Sequence, residues 1–276
     1  QTVVIANLLS RQKGTGMAEN LLVSTDERGV CTIKLNRPDV HNAFDPDLIE
    51  NLSIQLTFAA DDDAVRIIVI TGEGKTFSSG ADINWMRSMV KYDHNRNSKD
   101  ALKLAQMLHK LYSLPKPTIA LVNGSAYGGA LGIIACCDIA LAHSDAIFAF
   151  TEVKLGIVPA VVSPYIISAI GHRNAKRLFL TADKFNAGDA RQMGLLHKVV
   201  APDELDNTLQ QELGLLFNGG PSAQLECKRL IHKFTDVSDD VAEYTAELIA
   251  QIRISQEGQE GLTAFLEKRK PDWVKS

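Results

Sequence analysis

Thr118-Ile119-Ala120-Leu121-Val122-Asn123-Gly124-Ser125-Ala126-Tyr127-Gly128-Gly129-Ala130-Leu131-Gly132-Ile133-Ile134-Ala135-Cys136-Cys137 is the stretch on which the fold turns. Residues 118–122 have no polar alternation, the pattern of a strand buried on both faces. Asn123 to Gly129 is a turn of small residues. Residues 130–137 are apolar and helical in length, and they open on glycine. Strand, glycine turn and helix in this order predict a layered α/β core. A helix opened by glycine also offers backbone N–H groups, and a partial positive charge, to an anion.

A second loop has the same character. Residues 66–71 (Arg-Ile-Ile-Val-Ile-Thr) read as another buried strand. Gly72-Glu73-Gly74-Lys75-Thr76-Phe77-Ser78-Ser79-Gly80-Ala81-Asp82 follows, small where the chain must turn. Small residues let a ligand approach the backbone closely, and two N–H groups aimed at one oxygen make an oxyanion hole. Many glycine turns solve only a turn geometry, so these loops need a reacting group beside them to carry chemistry. Neither matches Gly-x-x-x-x-Gly-Lys-Ser/Thr, which argues against nucleotide hydrolysis.

The candidate reacting group is Glu152, in Phe148-Ala149-Phe150-Thr151-Glu152-Val153-Lys154-Leu155-Gly156. A carboxylate among aromatic and branched residues costs desolvation energy. That burial raises its pKa toward the range a proton shuttle uses. The bland alternative is a core Glu paired with Lys154. The seven histidines are scattered, and no Ser-His-Asp grouping or Gly-x-Ser-x-Gly elbow emerges.

Outward from these segments, residues 21–25 and 30–35 read as strands around a turn, the second with one wet face. Asp45 or Asp47 caps a helix running to about residue 60. A long loop should follow residue 71, then a helix over 99–114 stopped by Pro115-Lys116-Pro117. Residues 139–142 and 146–150 read as short strands. From His172 on the character is helical, with helices over 175–180, 187–193, 202–216, 221–234, 240–254 and 257–270.

The chain has 276 residues, 45% hydrophobic and 22% charged, with net charge −4. This suits one large globular unit and argues against a nucleic-acid surface. No apolar run reaches the roughly 18–20 residues of a membrane span, so no membrane partner is expected. The cysteines Cys31, Cys136, Cys137 and Cys227 show no metal or disulfide spacing, and no metal site is expected. They predict a reducing, cytoplasmic setting. Residues 1–16 look separate, with Arg11, Lys13 and no acid, and they end in Gly14-Thr15-Gly16 before Met17. They read as an N-terminal extension or appended tail. A core over 17–205 and a helical region over 206–276 complete the organisation.

Together these segments resemble the crotonase superfamily, the enoyl-CoA hydratases and isomerases. The resemblance rests on Asn36-Arg37-Pro38 to Asn42-Ala43-Phe44, Phe77 to Ile83, Lys116-Pro117-Thr118 to Gly129, Cys137-Asp138, Phe148 to Gly156 and Phe265 to Lys270. It implies a spiral core of repeated β-β-α units, a C-terminal helical trimerisation region and a homotrimer or homohexamer. It implies an acyl-CoA substrate and no separate cofactor, since CoA belongs to the substrate. Ala81 and Gly129 fall on the family's oxyanion pair. Ser79, Ala81, Asp82 and Ile83 fall where CoA is cradled, Tyr127 and Gly128 beside the turn, and Phe265 and Lys268 where a C-terminal helix meets CoA.

Two-acid hydratases of the superfamily carry a first Glu where this chain has Gly132, and a second where it has Glu152. Their Pro-Gly pair is here Pro159-Ala160, and alanine keeps an N–H that can hold water. Three readings follow: a hydratase with Glu152 as sole acid/base, an isomerase with Glu152 as proton shuttle, or a non-catalytic acyl-CoA binder. Residues 128–138, 152–164 and 255–262 resemble a bacterial branch assigned to methylglutaconyl-CoA hydratase, which implies leucine catabolism. Such a substrate carries a second carboxylate, for which Lys154 is a candidate on charge.

Overall fold

The structure is a computed structural model and describes residues 20–233 and 239–271. The tail over 1–16 lies outside the described residues, as does Phe234.

An antiparallel hairpin, β1 (Leu21–Thr25) and β2 (Val30–Leu35), opens the fold. The chain then makes the same excursion three times. β3 (Ile67–Gly72) leads to β4 (Thr76–Ser78), β5 (Thr118–Val122) to β6 (Ser125–Tyr127), and β7 (Ile139–His143) to β8 (Ile147–Ala149). The first strand of each pair joins a six-stranded sheet, ordered β1-β2-β3-β5-β7 and closed by β10 (Lys198–Val200). The second joins a four-stranded sheet, ordered β4-β6-β8 and ended by β9 (Phe185–Asn186). Pairing is parallel except at the β1–β2 and β8–β9 edges. This is the repeated β-β-α spiral, legible in coordinates although no sequence repeat marks it.

Burial explains why β3 reads as an unbroken apolar run. Ile68 and Ile70 point into the main core with Ile33, Leu35, Ala120 and Val122. Ile67 and Val69 point the other way, into a second cluster with Val30, Ile119 and Leu121. The helix Leu205–Phe217 roofs that cluster with Leu205, Leu209 and Leu213. A strand covered on both faces has no position at which a polar side chain is favoured.

Buried amides tie the successive excursions together. Asn42 is fully buried and donates to Glu73 O at 2.9 Å and Thr76 O at 2.8 Å. Asn123 accepts from Gly72 N at 3.0 Å and donates to Gly74 O at 2.9 Å. His143 Nε2 lies 2.8 Å from Asn123 O. Each turn is thereby bonded to the next, which satisfies backbone groups that a tight turn would otherwise bury unpaired.

The helices are α1 (Pro46–Asp61), α2 (Ile83–Met89), α3 (His94–Tyr112), α4 (Ala130–Cys136), α5 (Ser163–Thr181), α6 (Ala187–Met193), α7 (Leu205–Phe217), α8 (Pro221–Lys233), α9 (Asp239–Ile254) and α10 (Gln256–Leu266). Asp45 caps α1, accepting from Leu48 N at 2.8 Å. Among the described residues no helix is long and apolar enough to cross a membrane.

Several expectations are corrected. The long loop after residue 71 holds β4 and α2, and the next helix starts at His94, where Asp93 accepts from Arg96 N. Helical character begins at Ser163 rather than His172, with a break at Gly171. β9 and β10 interrupt the region read as helices alone. The last helix ends at Leu266 because the chain reverses at Lys268, whose φ is 57°. The C-terminal helices also pack on the core: α9 lies along α3, and α10 against α2 and the turn that carries Glu152.

One ion pair anchors α8. Lys228 Nζ meets Asp138 Oδ2 at 2.7 Å and Lys116 O at 3.0 Å, while Thr118 N donates to the same carboxylate oxygen at 2.7 Å. Lys228→Ala should cost about 1.5–3 kcal/mol, the range for a hydrogen bond to a charged group, because the pair is part-buried and Asp138 keeps its Thr118 bonds. Urea unfolding of variant and wild type measures it.

Candidate active site

Three neighbouring strand ends build the site. β4, β6 and β8 run parallel, with Ser78 opposite Ala126 and Tyr127 opposite Ala149. Ala81 stands three residues beyond the end of β4, Gly129 two beyond β6, and Glu152 three beyond β8. Sheet pairing therefore brings distant segments to one edge, the carboxyl edge where open parallel sheets bind ligands. The first two loops touch. A Cβ added to Gly80 would sit 2.8 Å from Tyr127 O, and the φ of +86° there also favours glycine.

A cavity of about 960 Å³ opens at this edge. It is at the large end of the range for small-molecule sites, roughly 300–1,000 Å³. Its lining includes Ser79, Ala81, Asp82, Ile83, Tyr127, Gly128, Gly129, Glu152, Ala160 and Phe265.

Two N–H groups of these two loops are unpaired. Ser79 N donates to His41 O, Gly80 N to Ser78 Oγ and Asp82 N to Phe44 O. Gly128 N donates to Ala149 O. Among the described residues, Ala81 N and Gly129 N donate to no acceptor in the chain. The Phe44–Ala81 bridge explains the first, since Phe44 bonds to the residues on either side of Ala81. Gly129 is the N-cap of α4, where N–H groups have no intrahelical partner.

Glu152 opens a single turn of 3-10 helix, Glu152–Leu155, closed by Gly156 at φ 68°. Its Oε1 lies over Gly128, 3.2 Å from where a Cβ there would be. Its Oε2 is shut off from solvent with no hydrogen-bond partner. Loss of solvent raises the pKa to about 7, against a small opposing effect of its own backbone N–H. The residue as a whole keeps some access through the cavity. Lys154 gives it no partner, because Lys154 Nζ donates to Ala182 O at 2.9 Å. That contact overturns the core Glu–Lys pair, while Lys154 still lines the cavity.

The place of the missing acid is filled. A Cβ on Gly132 would meet Val162 Cγ1 at 2.5 Å and Leu108 Cδ1 at 3.1 Å. Ala160 N is also engaged, donating to Val158 O at 2.8 Å, so the expected water-holding N–H is not free. Asp82 lines the cavity. Its carboxylate caps α2 through Asn84 N at 2.8 Å and pairs with Arg37 Nη2 at 2.9 Å. Lys268 does not line the cavity. Arg269 does, held by Glu260 at 2.6 Å and Glu267 at 2.8 Å.

Sequence reading missed the back wall. Trp85, Met86, Leu104, Val162, Ile249 and Leu262 make it apolar, and Arg253 is set into it. Helix α10 closes over the Glu152 turn at Gly261, where a Cβ would collide with Leu155 O. Ser255 caps that helix, accepting from Gly258 N at 3.1 Å. Two N–H donors and a carboxylate near pH 7 in an apolar cavity can hold charge on a carbonyl oxygen and move a proton beside it.

Comparison with known proteins finds enoyl-CoA hydratases and isomerases. The enoyl-CoA hydratase/isomerase family model matches residues 25–276. The chain is 34% identical over 261 residues to a crotonyl-CoA hydratase of Syntrophomonas wolfei, covering 93% of this chain and 98% of that one. It is 32% identical to a short-chain-enoyl-CoA hydratase of Clostridium acetobutylicum, covering 94% and 100%. A crystal structure of an enoyl-CoA hydratase from Shewanella pealeana superposes with a TM-score of 0.77 at 40% identity, covering 97% and 98%.

Two measurements probe this geometry. Gly132→Ala should destabilise by roughly 1–3 kcal/mol through overpacking against Val162, and Gly132→Glu by more. Glu152 binds its proton more tightly folded than unfolded, so it supports the fold below the ordinary carboxylate range and loses that support as pH rises through about 7. Glu152→Gln should therefore raise stability at pH 8 by about 2–3 kcal/mol and by little at pH 4. Thermal melts across pH read the difference.

Proposed function

The chain belongs to the enoyl-CoA hydratase/isomerase family, and on that footing we propose that it adds water across the double bond of an enoyl-CoA thioester with Glu152 as sole acid/base. One observation carries this reading: Glu152 Oε2 has no partner while its Oε1 lies over Gly128, next to the unpaired Gly129 N–H. Water bonds through its oxygen to the β-carbon while Glu152 takes one of its protons. The double-bond electrons move toward the thioester oxygen, where Ala81 and Gly129 N–H hold the charge. The enolate then takes the proton from Glu152 at its α-carbon. The product is a 3-hydroxyacyl thioester, and Glu152 returns as carboxylate. A pKa near 7 keeps both forms of Glu152 accessible.

The proposed substrate is 3-methylglutaconyl-CoA, supported by the resemblance of residues 128–138, 152–164 and 255–262 to that bacterial branch. Trimers or pairs of trimers are the proposed assembly, supported by exposed Leu180, Leu215, Leu230 and Ile231. A second reading, double-bond isomerisation, is favoured by one observation: Val162 occupies the second acid's place, and isomerisation needs one base. A binder without turnover leaves the cost of an unpaired buried carboxylate unexplained.

Hydration should incorporate solvent oxygen into the product, as mass spectrometry in labelled water would show; isomerisation would not. Glu152→Gln should lower turnover by about 10³-fold, within the usual range for general acid–base catalysis. Full activity in that variant would remove the assignment. The wild-type rate should rise with pH to a plateau, half-maximal near 7, as Glu152 ionises.

A further inference from the structure

Arg253 is a buried cation that the mechanism above does not use. It lies near the end of α9, 8% exposed, and lines the cavity. Its Nε and Nη1 are shut off from solvent with no hydrogen-bond partner. Burial lowers its pKa to about 10, so it stays charged at neutral pH. Asp100, the acid whose charge it feels, accepts from Trp85 Nε1 at 2.8 Å, and among the described residues no ion pair joins it to Arg253. Removing a guanidinium from water without a partner costs several kcal/mol, and an incoming anion would offset that cost.

The position indicates which anion. Leu104 reaches the space over Gly129, with Cδ2 3.9 Å from a Cβ built there. Asp100 is one helical turn earlier on α3, about 6 Å along the axis. Arg253 therefore lines the cavity near the level of Asp100, about one turn of α3 from the Leu104 that reaches Gly129, with Ile249 one turn before it on α9. A carboxylate matches a guanidinium fork in shape and charge.

We propose that Arg253 receives a free carboxylate at the far end of the acyl chain and so selects acidic enoyl-CoA substrates. This rests on the enoyl-CoA reading above and adds a specificity residue to it.

The test compares three thioesters: a five-carbon enoyl-CoA with a free terminal carboxylate, its terminal methyl ester, and four-carbon crotonyl-CoA. Binding of their saturated analogues is measured by calorimetry and hydration by spectrophotometry. Wild type should favour the acid over its methyl ester by about 30-fold or more, the low end for losing one partner of a buried charged hydrogen bond. Arg253→Met should bring that ratio near one, while Arg253→Lys should retain part of it. Equal wild-type affinity for acid and ester overturns the proposal without needing any variant to fold. Equal weakening of all three ligands in Arg253→Met also overturns it, since the cation would then serve the CoA portion they share. Binding preference without any turnover would support Arg253 while removing the hydratase reading.

Discussion

The site depends on the parallel alignment of three short strands. β4, β6 and β8 are three residues each, too short to hold a register alone. Their register is imposed by β3, β5 and β7 in the larger sheet, and by Asn42, Asn123 and His143 between turns. Once those excursions are stacked, Ala81, Gly129 and Glu152 have little freedom to be elsewhere. The edge that carries the proposed site is thus supported mainly by residues that do not line the cavity. Burial of β3 and β5 on both faces fixes the frame on which donors and acid meet.

Glu152 shows the same logic in its electrostatics. Its carboxylate is near neutrality because the fold removes water and supplies no cation. Lys154, two residues on, is turned to Ala182 O; had it faced inward, it would have lowered the pKa and weakened the proton exchange. Val162 and Leu108 keep the Gly132 side apolar. The second acid is missing because its space has been reassigned.

Much of this was legible in the chain. Long buried strands announce themselves by unbroken branched residues, and Glu152 with its two loops could be named before any coordinates. Strands of two or three residues carry no periodicity, so β4, β6, β9 and β10 went unread. The cap at Asp82 hid inside a glycine-rich loop. At the C-terminus a single reversed residue, Lys268, exchanged the expected lysine for Arg269 at the cavity. Arg253 could not be found by pattern, because its meaning depends on α9 lying along α3, a contact between residues far apart in sequence. The water-holding role expected of Ala160 N failed for a local reason, a tight turn that engages the same N–H.

The two groups proposed to hold charge, at Ala81 and Gly129, are main-chain amides. Amide donors survive nearly any change of side chain, so mutation reaches them only through proline or a shift in backbone path. The cavity walls have no such protection; Val162, Leu104 and Arg253 shape it through side chains that a substitution replaces. An enzyme built this way can inherit its reaction unchanged while its choice of acyl group drifts. The durable part of the site is written in the path of the backbone, and the adaptable part in the side chains around it.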